Sequence, residues 1–555
     1  MKRQTITSQI KQNIIQAIIA LAHQGYEINV NKDYVKVNVE KTKNSKFGDF
    51  TTNVALSIDN KNKMQTANGI IQYMNKSMFA DIKAVEPGFI NMWLSNEVKL
   101  KWLKEIKCKK AKYGNFKKKR RFWYNIEFVS ANPTGLLHIG HARNGAYGDS
   151  LANIFEAYGV KTDREYYIND GGNQVEKLGL SVLIRYLQLF NKEVNLPEDA
   201  YHAEEIVEVA TKLKEKYNDQ FINTKFDNDK ILDNNEGSII KDFAKNYLLN
   251  IIKKDLNNLN VKMEIWSPES NIYKYKLIDA ALDLLKNETF NSEGATWLKT
   301  TSHGDDKDRV LIKSDGSYTY FMPDIAYHNL KISRGYTKIF NIWGADHKSY
   351  ADRMSIALQL LGYKKEQLVV LIMQLVKLTR DGKEFKMSKR TGNSFTVQDL
   401  IELIGKDAAR WYLVNQSLDS HLEIDVAKAK EKNNENGLYY VQYAYVRIKQ
   451  ILNKAVNKAC SRIDLLTLDI EKEIMNQLLF FKPTIKNIAK NYEVQKLNLY
   501  LTNLAKLLHS YYANEKIANA ESVELSKQRL FLVTLVSIVI KNGLKLLGID
   551  TVESM

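Results

Sequence analysis

The chain has 555 residues, more than one hydrophobic core usually organises, so we expect two to four domains. Its 81 Lys and Arg residues against 64 Asp and Glu residues give a net charge of +17, which indicates a polyanionic partner such as a nucleic acid. Biased codon usage would explain the charge equally well, so sequence motifs are needed to distinguish the two explanations. The two cysteines, Cys108 and Cys460, match no zinc-ligand or disulfide spacing, which is typical of a reducing cytosol.

Two segments bear on targeting to membranes or organelles. The longest apolar stretch, residues 530–540, falls short of the ~20 residues that span a bilayer, so we expect no membrane segment. The first 24 residues lack acidic side chains, as an organelle transit peptide does. Because Ile10, Ile14 and Ile18 recur at helical spacing, we predict a packed amphipathic helix there instead.

The chain is predicted to form three domains. Residues 1–112 read as an α+β module, in which strands at 34–39 and 88–94 follow the first helix. In residues 113–430, strands alternate with helices as in a doubly wound, Rossmann-type α/β sheet, with a helical insertion at about 190–275. The strands of this sheet are predicted at 122–129, 310–312, 338–343 and 368–375. Residues 431–555 lack strand signals and are predicted to be all α.

The segment 132–141, Asn-Pro-Thr-Gly-Leu-Leu-His-Ile-Gly-His, lies between a predicted strand and a long predicted helix. A helix N-terminus presents unpaired N–H groups and partial positive charge, and Gly140 would let a nucleotide lie against the backbone. His138 and His141 can donate hydrogen bonds to phosphate oxygens in a transition state. Taken alone, they could equally be packing or surface histidines.

A second segment, residues 386–393, reads Lys-Met-Ser-Lys-Arg-Thr-Gly-Asn and is predicted to be a basic loop that follows the strand ending at Leu375. Lys389 of this loop can reach a leaving pyrophosphate. A lone string of this kind is more often a solvated turn. The presence of both segments in this order favours a catalytic role for each.

These segments resemble the HIGH and KMSKS signatures of class I aminoacyl-tRNA synthetases, which correspond to residues 138–141 and 386–390 of this chain. Arg390 replaces the final serine of the second signature. The resemblance implies that the catalytic residues are His138, His141, Lys386 and Lys389. It implies ATP contacts by Pro133, Gly135, His138, Gly140, His141, Met387, Ser388 and Lys389.

Residues 127–132, 166–170 and 343–347 resemble arginyl-tRNA synthetases in particular. A guanidinium is planar, permanently charged and best held by carboxylates, for which Glu127 and Asp324 are candidates. On the residues alone, Glu127 would be a solvated strand end and Asp324 a helix cap. The resemblance implies that arginine is bound by Glu127, Ser130, Asn132, Tyr320, Asp324 and Asp346.

Segments near both ends resemble the tRNA-binding parts of the same family. Residues 47–55 and 86–91 resemble its N-terminal module, and residues 439–447 resemble the first helix of its anticodon-binding domain. Aromatic and arginine side chains can stack on unpaired bases and bind phosphates, although some of these aromatics will be core residues. The resemblance implies tRNA contacts by Phe47, Asn53, Tyr443 and Arg447.

The resemblance runs from about residue 40 to Met555 and implies arginine–tRNA ligase activity. The arginine carboxylate would attack the α-phosphate of ATP, and the arginyl-adenylate would then pass to the terminal adenosine of tRNA(Arg). It implies ATP with Mg²⁺ as the substrate complex and no tightly bound metal. We expect a cytoplasmic protein, a monomer, with no membrane partner.

Three alternatives remain open. A class I synthetase for cysteine or glutamate is the first, and the lack of zinc-ligating cysteines argues against cysteine. A small-molecule nucleotidyltransferase is the second, but it would not need the helical domain at 431–555. A catalytically silent tRNA-binding paralogue is the third, but it should have lost the signature histidines or Lys389.

Overall fold

A computed structural model of the protein describes residues 5–24, 26, 37–42, 44–58, 62–119, 121–385 and 395–555. The chain forms two compact units. Unit 1 comprises residues 1–117, 432–546 and 550–555, and unit 2 comprises residues 118–431 and 547–549. The chain therefore passes from one unit to the other several times.

The first part of unit 1 is an α+β module with an antiparallel sheet of order β1-β2-β4-β3. Its elements are α1 (Ile6–His23), β1 (Glu40–Lys41), β2 (Phe50–Thr52), α2 (Val54–Ile58), α3 (Lys63–Tyr73), β3 (Phe79–Val85), β4 (Phe89–Leu94) and α4 (Asn96–Lys109). Helix α1 buries Ile10, Ile14 and Ile18, as their spacing predicts. Of the strand predicted at 34–39, residues 34–36 lie outside the described residues and 37–39 are not in a strand.

Unit 2 is built on a five-stranded parallel sheet of order β12-β11-β5-β6-β7, which confirms the predicted Rossmann-type fold. Because the strands are parallel, their carboxyl ends share one edge of the sheet. The elements of unit 2 are β5 (Trp123–Glu127), α5 (Ile139–Ala157), β6 (Lys161–Ile168), α6 (Gly172–Gln188), α7 (Glu204–Tyr217), α8 (Asn234–Asn258), β7 (Ile265–Pro268), α9 (Ser270–Lys274), α10 (Leu277–Leu285), β8 (Thr289–Ser292), β9 (Ala295–Leu298), β10 (Arg309–Ile312), α11 (Phe321–Ser333), β11 (Lys338–Gly344), α12 (Lys348–Leu360), β12 (Leu368–Met373), β13 (Val376–Arg380), β14 (Lys383–Glu384), α13 (Val397–Ile404), α14 (Lys406–Leu413), β15 (Leu422–Asp425) and α15 (Val426–Lys430).

Two strands depart from the sequence-based expectation. The strand predicted at 310–312 exists as β10, but it pairs antiparallel with β9 in a separate sheet of order β10-β9-β8. The segment 190–275 holds the expected helices α7 and α8, yet it also holds β7, which pairs with β6 at the edge of the parallel sheet. Short strands carry too little pattern to reveal which sheet they join.

The second part of unit 1 is helical, and no strand occurs among its described residues from 432 onward, as predicted. Its helices are α16 (Gly437–Lys454), α17 (Asp469–Asn491), α18 (Gln495–Asn514) and α19 (Val523–Leu546). Phe480 of α17 stacks on Phe50 of β2, with ring centroids 5.3 Å apart. Within the described part of the chain, no helix has the length and apolar character needed to cross a membrane.

Residues 547–549 belong to unit 2 because the buried guanidinium of Arg410, on α14, binds them. Its Nε donates to the Leu547 carbonyl oxygen at 2.5 Å, and its Nη2 donates to Asp149 Oδ2 at 2.9 Å. Gly548 has a φ of +70°, and a Cβ there would collide with the Arg410 guanidinium. Only glycine combines this backbone angle with this close approach.

Candidate active site

A cavity of about 910 Å³ opens in unit 2, lined by the ends of β5, β11 and β12 and the N-terminus of α5. Ligands of open α/β sheets bind outside the carboxyl ends of the strands. Glu127, Asp324 and Asp346 line this cavity, and among the described residues no Lys or Arg lines it. The cavity is therefore suited to a cationic group.

The N-terminus of α5 presents two stacked histidines. His138 is the N-cap residue, His141 lies in the first turn, and their ring centroids are 3.7 Å apart. The Gly140 N–H donates to His138 Nδ1 at 3.0 Å, and the His138 N–H donates to His141 Nδ1 at 3.2 Å. Because both Nδ1 atoms accept, each neutral ring carries its proton on Nε2. Each Nε2–H is then a donor for a ligand.

Both rings remain uncharged at neutral pH. Burial and the neighbouring His138 lower the pKa of His141 to about 3, and burial lowers the pKa of His138. A Cβ on Gly140 would lie 2.8 Å from Cε1 of His138, so glycine is needed here to make room for that ring. Gly140 also lines the cavity, and its role in letting a nucleotide lie against the backbone stays a prediction.

A strained turn follows β5. Val129 and Ser130 have φ angles of +67° and +42°, which are costly for residues with side chains and cluster at functional sites. Asn144 of α5 holds the turn: its Oδ1 accepts from the Val129 N–H at 2.9 Å, and its Nδ2 donates to the Ile342 carbonyl at 3.0 Å. The turn brings the Ser130 hydroxyl within 3.2 Å of the Glu127 carboxylate, to which it donates.

Lys331 of α11 balances the charge of Glu127 and does not itself line the cavity. Its side chain is 0% exposed, and its Nζ donates to Glu127 Oε2 at 2.7 Å and to Asn341 Oδ1 at 3.0 Å. His328 donates through Nδ1 to the Asp324 carbonyl at 2.7 Å and accepts from Asn341 Nδ2 at 2.6 Å. Burial lowers the pKa of His328 to about 3, so this ring is neutral. The network fixes Glu127 in a charge-balanced pair.

Among the described residues, Asp324 has no such counter-charge. It lies in the first turn of α11 and accepts a hydrogen bond from the Tyr350 hydroxyl. Burial, with the carboxylates of Glu127 and Glu269 nearby, raises the pKa of Asp324 to about 7, although the Tyr350 hydrogen bond opposes this. A permanent cation beside Asp324 would relieve the cost of its ionisation. The guanidinium of arginine is such a cation.

Most of the predicted substrate-binding residues meet at this cavity. Those that line it are Glu127, Ser130, Asn132, His138, Gly140, His141, Asp324 and Asp346. Asn132 Nδ2 donates to Gln174 Oε1 at 2.6 Å. Asp346 is exposed at the rim, 3.3 Å from His347 Nε2. Pro133 is buried away from the cavity, and Tyr320 is 93% exposed and does not line it.

A second cavity, of about 380 Å³, shares Asn132, His138 and His141 with the first. The predicted residue Gly135 lines it, and so does Glu205 of α7. Burial raises the pKa of Glu205, and its Oε2 is buried without a hydrogen-bond partner in the described part of the chain. The segment 190–275, which showed no chemistry in the sequence, thus supplies a carboxylate beside the histidines.

The predicted loop residues Lys386, Met387, Ser388 and Lys389 lie outside the described residues. The chain that follows the loop is described. The Ile139 N–H donates to the Phe395 carbonyl at 3.0 Å, and the Val397 N–H donates to the Leu137 carbonyl at 2.8 Å. Residues 395–397 are therefore bound to the segment that carries His138.

Sequence reasoning missed five polar side chains that contact or face the predicted residues. They are Asn144, Glu205, Glu269, Lys331 and Tyr350. None lies in either signature, and each reaches the site through the packing of a separate element. No local pattern could have marked them.

The predicted RNA-contacting residues lie in unit 1. Phe47 is 58% exposed, and Asn53 is exposed. On α16, Arg447 Nη2 donates to the Tyr443 hydroxyl at 3.0 Å, and its guanidinium lies 4.3 Å from the ring centre of Tyr512. Tyr439 stacks on Tyr443 with ring centroids 5.7 Å apart. Tyr439, Tyr443, Arg447 and Tyr512 thus form one partly exposed row of aromatic and cationic side chains.

The parallel sheet, the neutral histidine pair at its first helix and the all-α domain that follows define a class I tRNA synthetase. Three family descriptions match successive parts of the chain: "Arginyl tRNA synthetase N terminal domain" at 6–94, "tRNA synthetases class I (R), catalytic domain" at 103–458 and "DALR anticodon binding domain" at 441–555. The chain belongs to the arginyl-tRNA synthetase family, which confirms the resemblance seen in the sequence.

Individual relatives agree with this assignment. The chain is 48% identical to the arginine–tRNA ligase of Malacoplasma penetrans, with 99% of each chain covered. It is 47% identical to that of Ureaplasma parvum, with 94% of this chain and 95% of the relative covered. The arginyl-tRNA synthetase of Thermus thermophilus has the same fold, with a TM-score of 0.78 at 20% identity, covering 99% of this chain and all of that one.

Proposed function

We propose that this chain activates L-arginine with ATP and transfers it to the terminal adenosine of tRNA(Arg). The observation that carries the proposal is the cavity in which Asp324 faces the same space as two neutral histidines at a helix N-terminus. No described residue supplies a counter-charge to the Asp324 carboxylate. The first group suits a guanidinium and the second suits phosphate oxygens. Membership of the arginyl-tRNA synthetase family supports the same substrates.

In the first step, a carboxylate oxygen of arginine forms a bond to the α-phosphorus of ATP. The bond from that phosphorus to the bridging oxygen breaks, and pyrophosphate leaves with its electron pair. The Nε2–H groups of His138 and His141 donate to phosphate oxygens, where negative charge grows in the transition state. ATP enters as its Mg²⁺ complex, which is part of the substrate.

In the second step, the terminal ribose hydroxyl of the tRNA attacks the carbonyl carbon of arginyl-adenylate. AMP leaves and takes up the hydroxyl proton, and arginine stays on the tRNA as an ester. No covalent enzyme intermediate is needed, so the protein acts by positioning and by charge stabilisation.

We assign the substrate groups to residues as follows. Asp324 pairs with the guanidinium, and Glu127, Ser130 and Asn132 hold the amino-acid end of arginine. Tyr320 and Asp346 are proposed to contact arginine from the rim, for which the exposed Tyr320 must turn inward. The proposed ATP contacts are Gly135, Gly140, Met387, Ser388 and Lys389, with Lys386 and Lys389 catalytic beside the two histidines. Pro133 is proposed as a further ATP contact, for which its buried ring must become accessible.

The affinity for arginine is expected to depend on the ionisation of Asp324. Its pKa of about 7 in the free protein means that it is largely protonated at pH 6 and largely ionised at pH 8. Since the guanidinium pairs with the ionised form, the KM for arginine should fall by about tenfold between pH 6 and pH 8. Steady-state kinetics at saturating ATP and tRNA would measure this, and a KM that is flat or rises with pH would contradict it.

The decisive test of the function is ATP–pyrophosphate exchange with arginine, with and without tRNA(Arg), and with lysine and glutamate as competing substrates. We expect exchange with arginine only, and only when the tRNA is present. Exchange without tRNA would keep arginine as the substrate but remove the requirement for tRNA. Exchange with another amino acid would overturn the roles of Glu127 and Asp324, and no exchange would favour the silent paralogue.

We further propose that residues 1–112 and 431–555 bind tRNA and that residues 113–430 form the catalytic domain, with an insertion at about 190–275 and the signature loop at 386–393. Phe47, Asn53, Tyr443 and Arg447 are the proposed RNA contacts. A cytoplasmic location is supported by the free thiols Cys108 and Cys460. Light scattering would test the proposed monomer against its mass of 64.0 kDa.

A further inference from the structure

Unit 1 contains a basic groove apart from the predicted RNA contacts. It has a volume of about 480 Å³ and lies between α1, the residues around β1 and helices α17 and α18. We call it the lysine groove after the five lysines that line it: Lys11, Lys41, Lys486, Lys490 and Lys496. No Asp or Glu is among its described lining residues.

Two of these lysines are held by neutral partners. Lys41 Nζ donates to Gln477 Oε1 at 2.8 Å, and Lys486 Nζ donates to Ser8 Oγ at 2.8 Å. An amide or hydroxyl oxygen fixes the position of an ammonium group but does not neutralise it. Within the described residues, neither lysine forms an ion pair with a carboxylate.

Two buried lysines elsewhere in unit 1 are paired with acids. The buried Lys99 lies 2.8 Å from the carboxylate of Asp49, and the buried Lys482 lies 3.3 Å from that of Glu105. Taking an ammonium group out of water is costly unless a counter-charge is close. The carboxylates of Asp49 and Glu105 offset this cost for Lys99 and Lys482. Among the described residues, Lys41 and Lys486 have no such carboxylate partner.

The groove therefore holds positive charge that is only partly balanced: Lys496 pairs with Glu493 at 2.5 Å, whereas Lys41 and Lys486 have no carboxylate partner among the described residues. Burial lowers the pKa of Lys41, against the opposing charge of Glu473, and burial with repulsion from Lys490 and Lys11 lowers the pKa of Lys486. An anion in the groove would offset both costs at once. Lys486 and Lys490 lie four residues apart on α17, roughly 6 Å along the helix axis, so an extended ligand with several anionic groups would contact both.

We propose that the lysine groove binds phosphates of an RNA backbone, and that its ligand is the tRNA on which the proposed function acts. Phosphate contacts supply affinity and orientation without reading sequence. The inference rests on the proposed function and adds a contact site that is distinct from Phe47, Asn53, Tyr443 and Arg447. The net charge of +17 is consistent with such a role.

The first test compares tRNA binding by the full chain and by the double variant Lys486→Gln/Lys490→Gln as salt is varied. Each lost phosphate contact reduces the slope of log affinity against log salt by about one, so the double variant should lose about two units of slope. At low salt its Kd for tRNA should rise roughly tenfold. In aminoacylation, the change should appear in the KM for tRNA and not in the KM for ATP.

Two matched variants distinguish the effect of the groove on tRNA affinity from the effects of total charge and of misfolding. Lys101→Gln/Lys104→Gln removes the same charge from exposed positions on α4 and should leave Kd within twofold of wild type, with most of the slope retained. Lys486→Arg/Lys490→Arg keeps the charge and should restore binding. Equal losses in the α4 and groove variants would overturn the proposal, and so would a wild-type slope in the groove variant.

A second measurement distinguishes tRNA phosphates from a free anion. In a phosphate ethylation interference experiment on tRNA, ethylation of certain phosphates should weaken binding to the wild-type chain. Ethylation of the same phosphates should not weaken binding to Lys486→Gln/Lys490→Gln. If inorganic phosphate protects the wild-type chain against heat but not this variant, while tRNA affinity is equal in both, the ligand is a free anion and the RNA proposal fails. If the wild-type chain itself charges no tRNA, the proposed function has failed, whatever the groove binds.

Discussion

Replacing Asp324 by asparagine is expected to lower kcat/KM for arginine by roughly a hundred- to thousandfold in ATP–pyrophosphate exchange. The asparagine has nearly the same shape, and its amide oxygen can still accept from the Tyr350 hydroxyl, so the change removes mainly the charge. A guanidinium would then be desolvated without its carboxylate partner. The KM for ATP should stay at its wild-type value.

The matched control is Asp352→Asn, because Asp352 is exposed on α12 and does not line the cavity. It should behave as the wild-type chain. The Asp324→Asn variant should also lose the dependence of the arginine KM on pH between 6 and 8. A variant that kept a normal KM, or that kept the pH dependence, would show that another group binds the guanidinium.

Replacing Lys331 by methionine is expected to destabilise unit 2 by about 3–5 kcal/mol. Lys331 is fully buried and donates to the buried Glu127, so its removal leaves an uncompensated carboxylate at the end of β5. The Glu127 carboxylate would then draw water into the network. Urea titration followed by tryptophan fluorescence would measure the loss, and the KM for arginine should rise in parallel.

A double variant tests whether the unbalanced charge of Glu127 causes the loss of stability in Lys331→Met. Lys331→Met/Glu127→Gln removes both charges and should recover most of the stability lost by Lys331→Met alone, although it should not recover arginine binding. The exposed Lys348 on α12 supplies the control Lys348→Met, which should remain within about 0.5 kcal/mol of wild type. If the double variant were as unstable as Lys331→Met, packing rather than charge would explain the loss.

The sequence predicted the parts of the site that are contiguous in the chain. Residues 132–141 were recognisable because a strand, a turn and a helix start follow one another there, and helix α5 begins at Ile139 as expected. Glu127 and Asp324 needed the resemblance as well, since each has an ordinary structural interpretation. The family of the chain was also predictable, because several motifs occur in a fixed order.

The supporting groups were not predictable, because they depend on which elements pack together. Lys331 meets Glu127 across 204 sequence positions, and Tyr350 meets Asp324 across 26. The sheet membership of β7 and β10 was not predicted correctly, for a related reason. Each strand is four residues long, and so short a pattern does not reveal which sheet the strand joins. The fold class followed from periodicity, whereas sheet membership required tertiary contacts.

The hydrogen bond between Arg410 and Leu547 constrains the order in which unit 2 can fold during synthesis on the ribosome. Arg410 is translated 137 residues before Leu547, the residue whose carbonyl accepts from its Nε. In between, the chain makes all the helices at 432–546 that belong to the other unit. A nascent or prematurely terminated chain can therefore contain every cavity residue while the buried guanidinium of Arg410 still lacks this acceptor, so unit 2 is completed only after the helices at 432–546 have been made.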